Sequence, residues 1–176
     1  NWGHTEKNAD GSLAWNPTFR EERFRFGEVP LGAKKADLMF LQHMLAVTRD
    51  EGMVATVLPH GVLFRGGEEK AIRAGIIEAD LLEAVIGLPA NLFYGTGIPT
   101  IIMVLKKQRS HDDVLFIDAS QGFIKDGKNN VLRALDIERI VDTVHARRDV
   151  EHFARVVSRD EIRDNDYNLN IPRYVS

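Results

Sequence analysis

The chain is predicted to fold as a three-layer α/β domain: a doubly wound sheet, mostly parallel, whose last core strand is antiparallel. Three observations carry this expectation. Four short runs, at 53–58, 82–88, 100–105 and 114–118, are apolar at nearly every position, as strands are when helices cover a sheet on both faces. Helical stripes precede the first two runs and give the order α, β, α, β. The later runs follow one another with only loops between them, so the last strands are expected to include an antiparallel pair.

Residues 1–35 read as irregular. Gly3, Gly11, Pro17, Gly27, Pro30 and Gly32 punctuate them, and Trp2, Trp15, Phe19, Phe24 and Phe26 are scattered without period. Arg20, Arg23, Arg25, Lys34 and Lys35 make the stretch locally basic. A helix is expected over 34–50, apolar nearly all round and therefore largely buried, with Gly52 as its stop. The strand at 53–58 ends at Pro59. The next helix, 67–79, puts Ala71, Ile72, Ile76 and Ile77 on one stripe, with Glu69 and Arg73 spaced to pair across one turn. Gly87 and Pro89 close the strand at 82–88; Lys106 and Lys107 close the one at 100–105. Three units follow: an irregular segment at 1–35, an α/β core at 36–120 and a helical extension at 121–176. In the last, Leu135, Ile137, Ile140, Val141 and Val144 form a helical stripe. Ser158 to Glu161 fits a capping box that starts a short helix, and 165–170 reads as an extended tail.

Composition excludes several kinds of chemistry. The 176 residues contain no cysteine, which removes disulfides, thiolate nucleophiles and cysteine metal sites and fits a reducing compartment. No apolar run approaches the ~18 residues of a membrane span. The formal net charge of −3 is not that of an electrostatic clamp for nucleic acid, so any DNA substrate requires positive charge from a partner. Gly-x-Gly-x-x-Gly after a strand, a phosphate loop and a Gly-x-Ser-x-Gly elbow are all missing. The six histidines show no metal-ligand spacing beside carboxylates and read as structural or surface residues.

Two segments stand apart. Leu58 to Gly67, LPHGVLFRGG, takes a buried strand into a turn and opens a helix on a Gly-Gly pair. Such strand ends hold ligands in open α/β sheets, and the pair has the backbone freedom to offer N–H groups to a phosphate. Simple turn chemistry explains it equally. Leu88 to Thr100, LPANLFYGTGIPT, joins two core strands and carries Phe93 and Tyr94 side by side. Adjacent side chains of an extended segment face opposite ways, so one ring can pack inward while the other stacks on a base. Packing of both rings fits the composition as well.

These residues also resemble a known family. Lys34-Lys35-Ala36-Asp37, LPHGVLFRGG at 58–67, IGLPANLFYGTGIPT at 86–100, LFIDAS at 115–120 and NDYNLNIPRYV at 165–175 are similar, in order, to the methylation subunit of type I restriction–modification systems. The resemblance runs from about residue 33 to the end. It implies a fold of the S-adenosylmethionine-dependent methyltransferase type, with the strand near 99–106 reversed between its neighbours, and methyl transfer to N6 of adenine in DNA. It also implies S-adenosylmethionine as cofactor, specificity and restriction subunits as partners, and a prokaryotic cytoplasm as location. Phe93 is implied to pack against the flipped adenine, with Tyr94 as its neighbour. Asp37 and Phe40 are implied to lie near the donor's adenine ring, although core packing also accounts for Phe40. The family's Gly-rich donor motif and Asn-Pro-Pro-Phe/Tyr motif do not occur here; the sole Asn-Pro, Asn16-Pro17, is followed by Thr18. The chain is accordingly expected to be a piece of a longer protein that starts just after the Asn-Pro-Pro motif.

A non-catalytic α/β scaffold that docks a partner fits the same pattern, and so does a nucleotide-binding module. Because the donor motif is missing, the 176-residue chain by itself is expected to bind S-adenosylmethionine weakly or not at all. Calorimetric titration checks this, and micromolar binding would contradict it.

Overall fold

The structure, a computed structural model, describes residues 5–7, 13–15, 26, 37–92 and 97–176. Strands β1 (Thr5–Lys7) and β2 (Leu13–Trp15) pair antiparallel, with Thr5 opposite Trp15. The leading segment is therefore not wholly irregular. Three-residue strands carry too little periodicity to be read from sequence.

Helix α1 (Asp37–Ala46) places Leu38, Leu41 and Leu45 on one buried stripe. Burial of each contributes about 2 kcal/mol relative to exposure. The helix is shorter at its C-terminal end than expected, and Val47 beyond it is exposed. Strand β3 (Met53–Pro59) leads through a short 3₁₀ turn (His60–Leu63) to α2 (Glu68–Glu78). Gly67 caps α2 with φ 66°, a left-handed value that favours glycine. The expected Glu69–Arg73 pair does not form. Arg73 is 2% exposed and donates to the carbonyls of Val62 (3.0 Å) and Tyr167 (3.3 Å), while Glu69 takes Arg65 as its partner at 2.7 Å. A buried guanidinium must satisfy its donors where it sits, and here loop carbonyls reach it.

Strands β4 (Leu82–Gly87), β5 (Thr100–Lys106), β6 (Val114–Asp118) and β9 (Ala154–Val157) join β3 in one sheet of five strands, ordered β3-β5-β4-β6-β9. Strands β3, β4 and β6 run one way. Strand β5 runs antiparallel to both β3 and β4, between them, as the sequence predicts. The sheet does not stop at β6: β9 adds a second reversed strand. The segment 121–176 thus contributes strands as well as helices: β7 (Ile124–Asp126) and β8 (Asn129–Val131) form a hairpin, followed by α3 (Ala134–Ala146), β9 and α4 (Arg159–Asp164).

Alternation along the strands sorts the core into two layers. Ile101, Met103 and Leu105 of β5 join Val85, Phe116 and the apolar stripes of α1 and α2. The C-terminal tail closes the same face, with Tyr174 stacked on Phe116 at 4.3 Å. Burial pushes the Tyr174 hydroxyl up to about 12, and its proton is donated to the Asn168 carbonyl. Ala84, Ile86, Leu115 and Ile117 face the other way, towards Ile140 of α3. Ser158 caps α4 through its hydroxyl, as expected. The tail after α4 is not extended throughout, because Asp166 and Tyr167 are both left-handed. That turn brings the Tyr167 carbonyl to Arg73 and the Leu169 N–H to the Leu63 carbonyl at 2.9 Å.

One charged cluster ties the layers together at the N-terminal ends of β4 and β6. The β4–β5 register shifts between Leu82 and Ala84, and Glu83 lies at that irregularity. Its carboxylate receives Arg109 at 3.0 Å and Arg147, the left-handed C-cap of α3, at 2.5 Å. Both guanidiniums also reach Asp113, and Arg109 reaches Asp80. Burial pushes the Glu83 carboxyl up, but Arg147 and Arg109 outweigh it and hold the carboxyl below its ordinary value of 4.5. A lowered folded value gives stability that is complete above the unfolded value and lost as pH falls through the folded one. Glu83→Gln is expected to cost about 2 kcal/mol at neutral pH, less than a fully dry pair because the cluster borders solvent. Thermal melts from pH 7 to pH 3 check this: the wild type should lose more stability than the variant across the acid limb, and parallel curves would contradict it.

Candidate functional site

The C-terminal ends of β3, β4 and β6 and the start of β5 share one edge of the sheet. Ligands sit at such an edge in open α/β folds. Three connections leave it: 60–67 after β3, 88–99 between β4 and β5, and 119–123 after β6.

The first connection is firmly held. Arg73 accounts for the Val62 carbonyl and the tail accounts for that of Leu63. His60 packs its ring against Phe64 with centroids 5.4 Å apart, and partial burial lowers its pKa. The imidazole is therefore neutral at neutral pH. Gly66 and Gly67 border open space, yet the start of α2 suits a phosphate poorly. Glu68 and Glu69 occupy its first turn, where their carboxylates meet the helix dipole themselves.

The second connection is pinned at its stem. The Leu88 N–H donates to the Thr100 carbonyl at 3.0 Å. Asn91 has φ 57°, a left-handed value that asparagine tolerates better than most residues. Asn130 of β8 binds the carbonyls of Ala90 and Asn91. A Cβ built on Gly97 would lie 2.9 Å from the Asn91 side-chain oxygen, so the returning limb passes close over Asn91. Gly87, the last residue of β4, sits under the tail: a Cβ there would lie 2.7 Å from Ile171. Two buried oxygens near this edge, those of the Thr100 and Asn170 side chains, lack hydrogen-bond partners among the described residues. Each is polar capacity held in reserve at a strand-end cleft.

Of the four residues singled out from sequence, the structure describes one completely. Asp37 is half-buried in the first turn of α1. Phe40 lies in the same helix, but its side chain falls outside the described residues, as do Phe93 and Tyr94 altogether. The sequence reading missed Asn130, Asn170 and Thr100. For Asn130 a signal existed: Asp126-Gly127 between Ile124 and Val131 marks a hairpin.

An apolar cavity of about 650 Å³ lies elsewhere, on the sheet face between β3, β5 and α3. Val57, Ile102, Ile137 and Val141 line it, and Leu88 and Leu92 bring it to the stem of the 88–99 connection. Apart from Asn130 and His145 its wall is apolar, so it is suited to packing rather than to a polar cofactor. Among the described residues no cluster of His, Asp and Glu is positioned to hold a metal ion, and no helix is long and apolar enough to cross a membrane.

The mixed sheet with a reversed strand inside it is the fold of a solved type I restriction–modification methyltransferase subunit. Among solved structures, the chain superimposes on the methyltransferase subunit of a type I restriction–modification system from Streptococcus thermophilus. The TM-score is 0.86 with 44% identity, over 92% of this chain and 35% of that one. The family model for N-6 DNA methylase matches residues 8–176, and the chain belongs to that family. Curated relatives include the type I restriction enzyme MpnII methylase subunit of Mycoplasma pneumoniae, 43% identical over 81% of this chain and 26% of its own length. The MjaVII methylase subunit of Methanocaldococcus jannaschii is 45% identical over 81% of this chain and 25% of its own. The chain thus spans about a quarter of the length of these relatives.

Proposed function

We propose that the chain forms the target-base side of an adenine-N6 DNA methyltransferase of the type I restriction–modification kind. The observation that carries this reading is strand β5, reversed between β3 and β4, which sends the 88–99 connection out over the ligand-binding edge. The 44% identity to a methyltransferase subunit with the same fold supports it. DNA is the substrate, and specificity and restriction subunits complete the assembly. Those partners supply the positive charge that a chain of net charge −3 lacks.

The adenine amine is a weak nucleophile because its lone pair delocalises into the ring. S-adenosylmethionine, when bound, supplies an electrophilic methyl on a sulfonium. This chain's residues hold and align. Phe93 stacks on the flipped base and fixes its plane, with Tyr94 beside it; base–aromatic stacking contributes about 1–3 kcal/mol. Alignment lowers the barrier without a general base. The donor fits the acceptor available here: a half-buried carboxylate, Asp37, in the first turn of α1, able to accept hydrogen bonds from an adenosine. Phe40, one turn further on in the sequence of α1, is of the residue type to pack on the donor's adenine ring.

The experiment uses the full-length methylase in its complex. Phe93→Ala is expected to lower kcat/KM for DNA methylation by about tenfold to a hundredfold, with donor affinity unchanged. Tyr94→Ala is expected to lower it less. A methylation rate unchanged in Phe93→Ala would contradict the base-side reading and favour a scaffold role for this loop.

A further inference from the structure

We propose that Asn130 is a positioning residue for methyl transfer, fixing the stem of the connection whose sequence carries Phe93. The proposal rests on the reading of 88–99 as the base-side loop.

Asn130 is 9% exposed and lies at the middle of β8, opposite Lys125 of β7. It makes two hydrogen bonds to consecutive residues of the stem, far away in sequence. Its backbone N–H donates to the Asn91 carbonyl at 2.9 Å, and its side-chain amide donates to the Ala90 carbonyl at 2.7 Å. The two bonds hold consecutive peptides, Ala90–Asn91 and Asn91–Leu92, and so restrain the φ and ψ of Asn91 between them. Rotation matters here, because Asn91 is left-handed and a modest change in its φ or ψ would swing the residues after it.

Besides forming part of the wall of the apolar cavity through Asn130 and Val131, the hairpin buries little. All of β7 is exposed, and Ile124 is among the exposed hydrophobics. Asn129 and Val131, the neighbours of Asn130 on β8, are half-buried and exposed. The one buried residue of the two strands is polar, and its polar atoms are spent on the loop. A two-stranded hairpin is marginal on its own, so the contact that anchors it is also the contact that braces the stem. The remaining restraints act around this one: Leu88 to Thr100 across the base of the loop, and Gly97 against Asn91 across its limbs.

Chemistry separates the side chain's contribution from its shape. Aspartate has the same outline but no N–H to donate, and it sets a carboxylate against the Ala90 carbonyl. Alanine removes the group and leaves that carbonyl unmet in a buried place. Both changes free the Ala90 carbonyl while the backbone bond to Asn91 stays available.

The test compares Asn130→Asp and Asn130→Ala with the parent in the full-length methylase complex. The DNA is a duplex carrying 2-aminopurine at the methylated adenine, its position taken from a map of N6-methyladenine in the host genome. Both variants are expected to lose about tenfold to a hundredfold in kcat, to show a smaller fluorescence rise on binding that duplex, and to exchange the amides of 91–92 and 97–98 faster. S-adenosylmethionine affinity should stay at the parent value, which a general loss of structure would not allow. Parent-like kcat and fluorescence in Asn130→Asp would overturn the proposal, whether or not exchange quickens. If Phe93→Ala loses activity while Asn130→Asp does not, the brace fails and the base-side reading stands. If neither loses activity, both fail.

Discussion

Strand β5 runs against both of its neighbours, and the remaining layout depends on that reversal. The strand is hydrogen-bonded on each side, to β3 from Met53 through Pro59 and to β4 from Leu82 through Gly87. Its side chains feed both layers, Ile101, Met103 and Leu105 towards α1 and α2, and Val104 towards α3. A parallel strand in this place would need a crossover helix to return to the start of the sheet. The reversed one needs only a loop, and that loop stays at the edge where β3, β4 and β6 end.

The chain then stabilises that edge from below and from the side. At the opposite ends of β4 and β6, Glu83, Arg109, Arg147 and Asp113 lock the C-cap of α3 to the sheet. On the α1–α2 face, Arg73 ties the turn after β3 to the tail through two carbonyls. The tail is pinned to α2 again by Arg163 on Glu78 and by Lys70 on Asp166. Ile171 lies so close to Gly87 that no larger residue fits there without displacing it. These fixed parts hold the sheet and the tail that carry the stem of the 88–99 connection, and a binding loop gains from such a rigid frame.

Much of this was legible in the sequence, for identifiable reasons. Runs that are apolar on both faces mark buried strands whatever their neighbours, so β3 to β6 were found within a residue or two. The lack of a helix before β5 pointed to an antiparallel pair among the last strands, and the family resemblance pointed to β5 as the reversed one. Strand β9 was not legible: Ala154–Val157 includes an arginine, and its partner is forty residues upstream. The Glu69–Arg73 spacing was real, but spacing on a helix says nothing about burial, and burial gave Arg73 to the carbonyls. Residue chemistry and family resemblance pointed to Phe93, Tyr94, Asp37 and Phe40. Neither pointed to Asn130, whose part depends on a contact across 40 positions.

The reversal itself is open to a direct measurement, because the chain contains no cysteine to interfere. In the antiparallel register Val57 faces Ile102, and Val104 faces Ala55 two positions away. A disulfide needs Cβ atoms roughly 4 Å apart, which direct partners across a ladder approach and diagonal ones do not. Under mild oxidation the Val57→Cys/Ile102→Cys pair is expected to crosslink within the chain, while Val57→Cys/Val104→Cys stays reduced. Ala55→Cys/Val104→Cys is expected to crosslink as well; crosslinking of Val57→Cys/Val104→Cys together with Ala55→Cys/Ile102→Cys, and of neither direct pair, would place β5 parallel to β3 and remove the basis of the account.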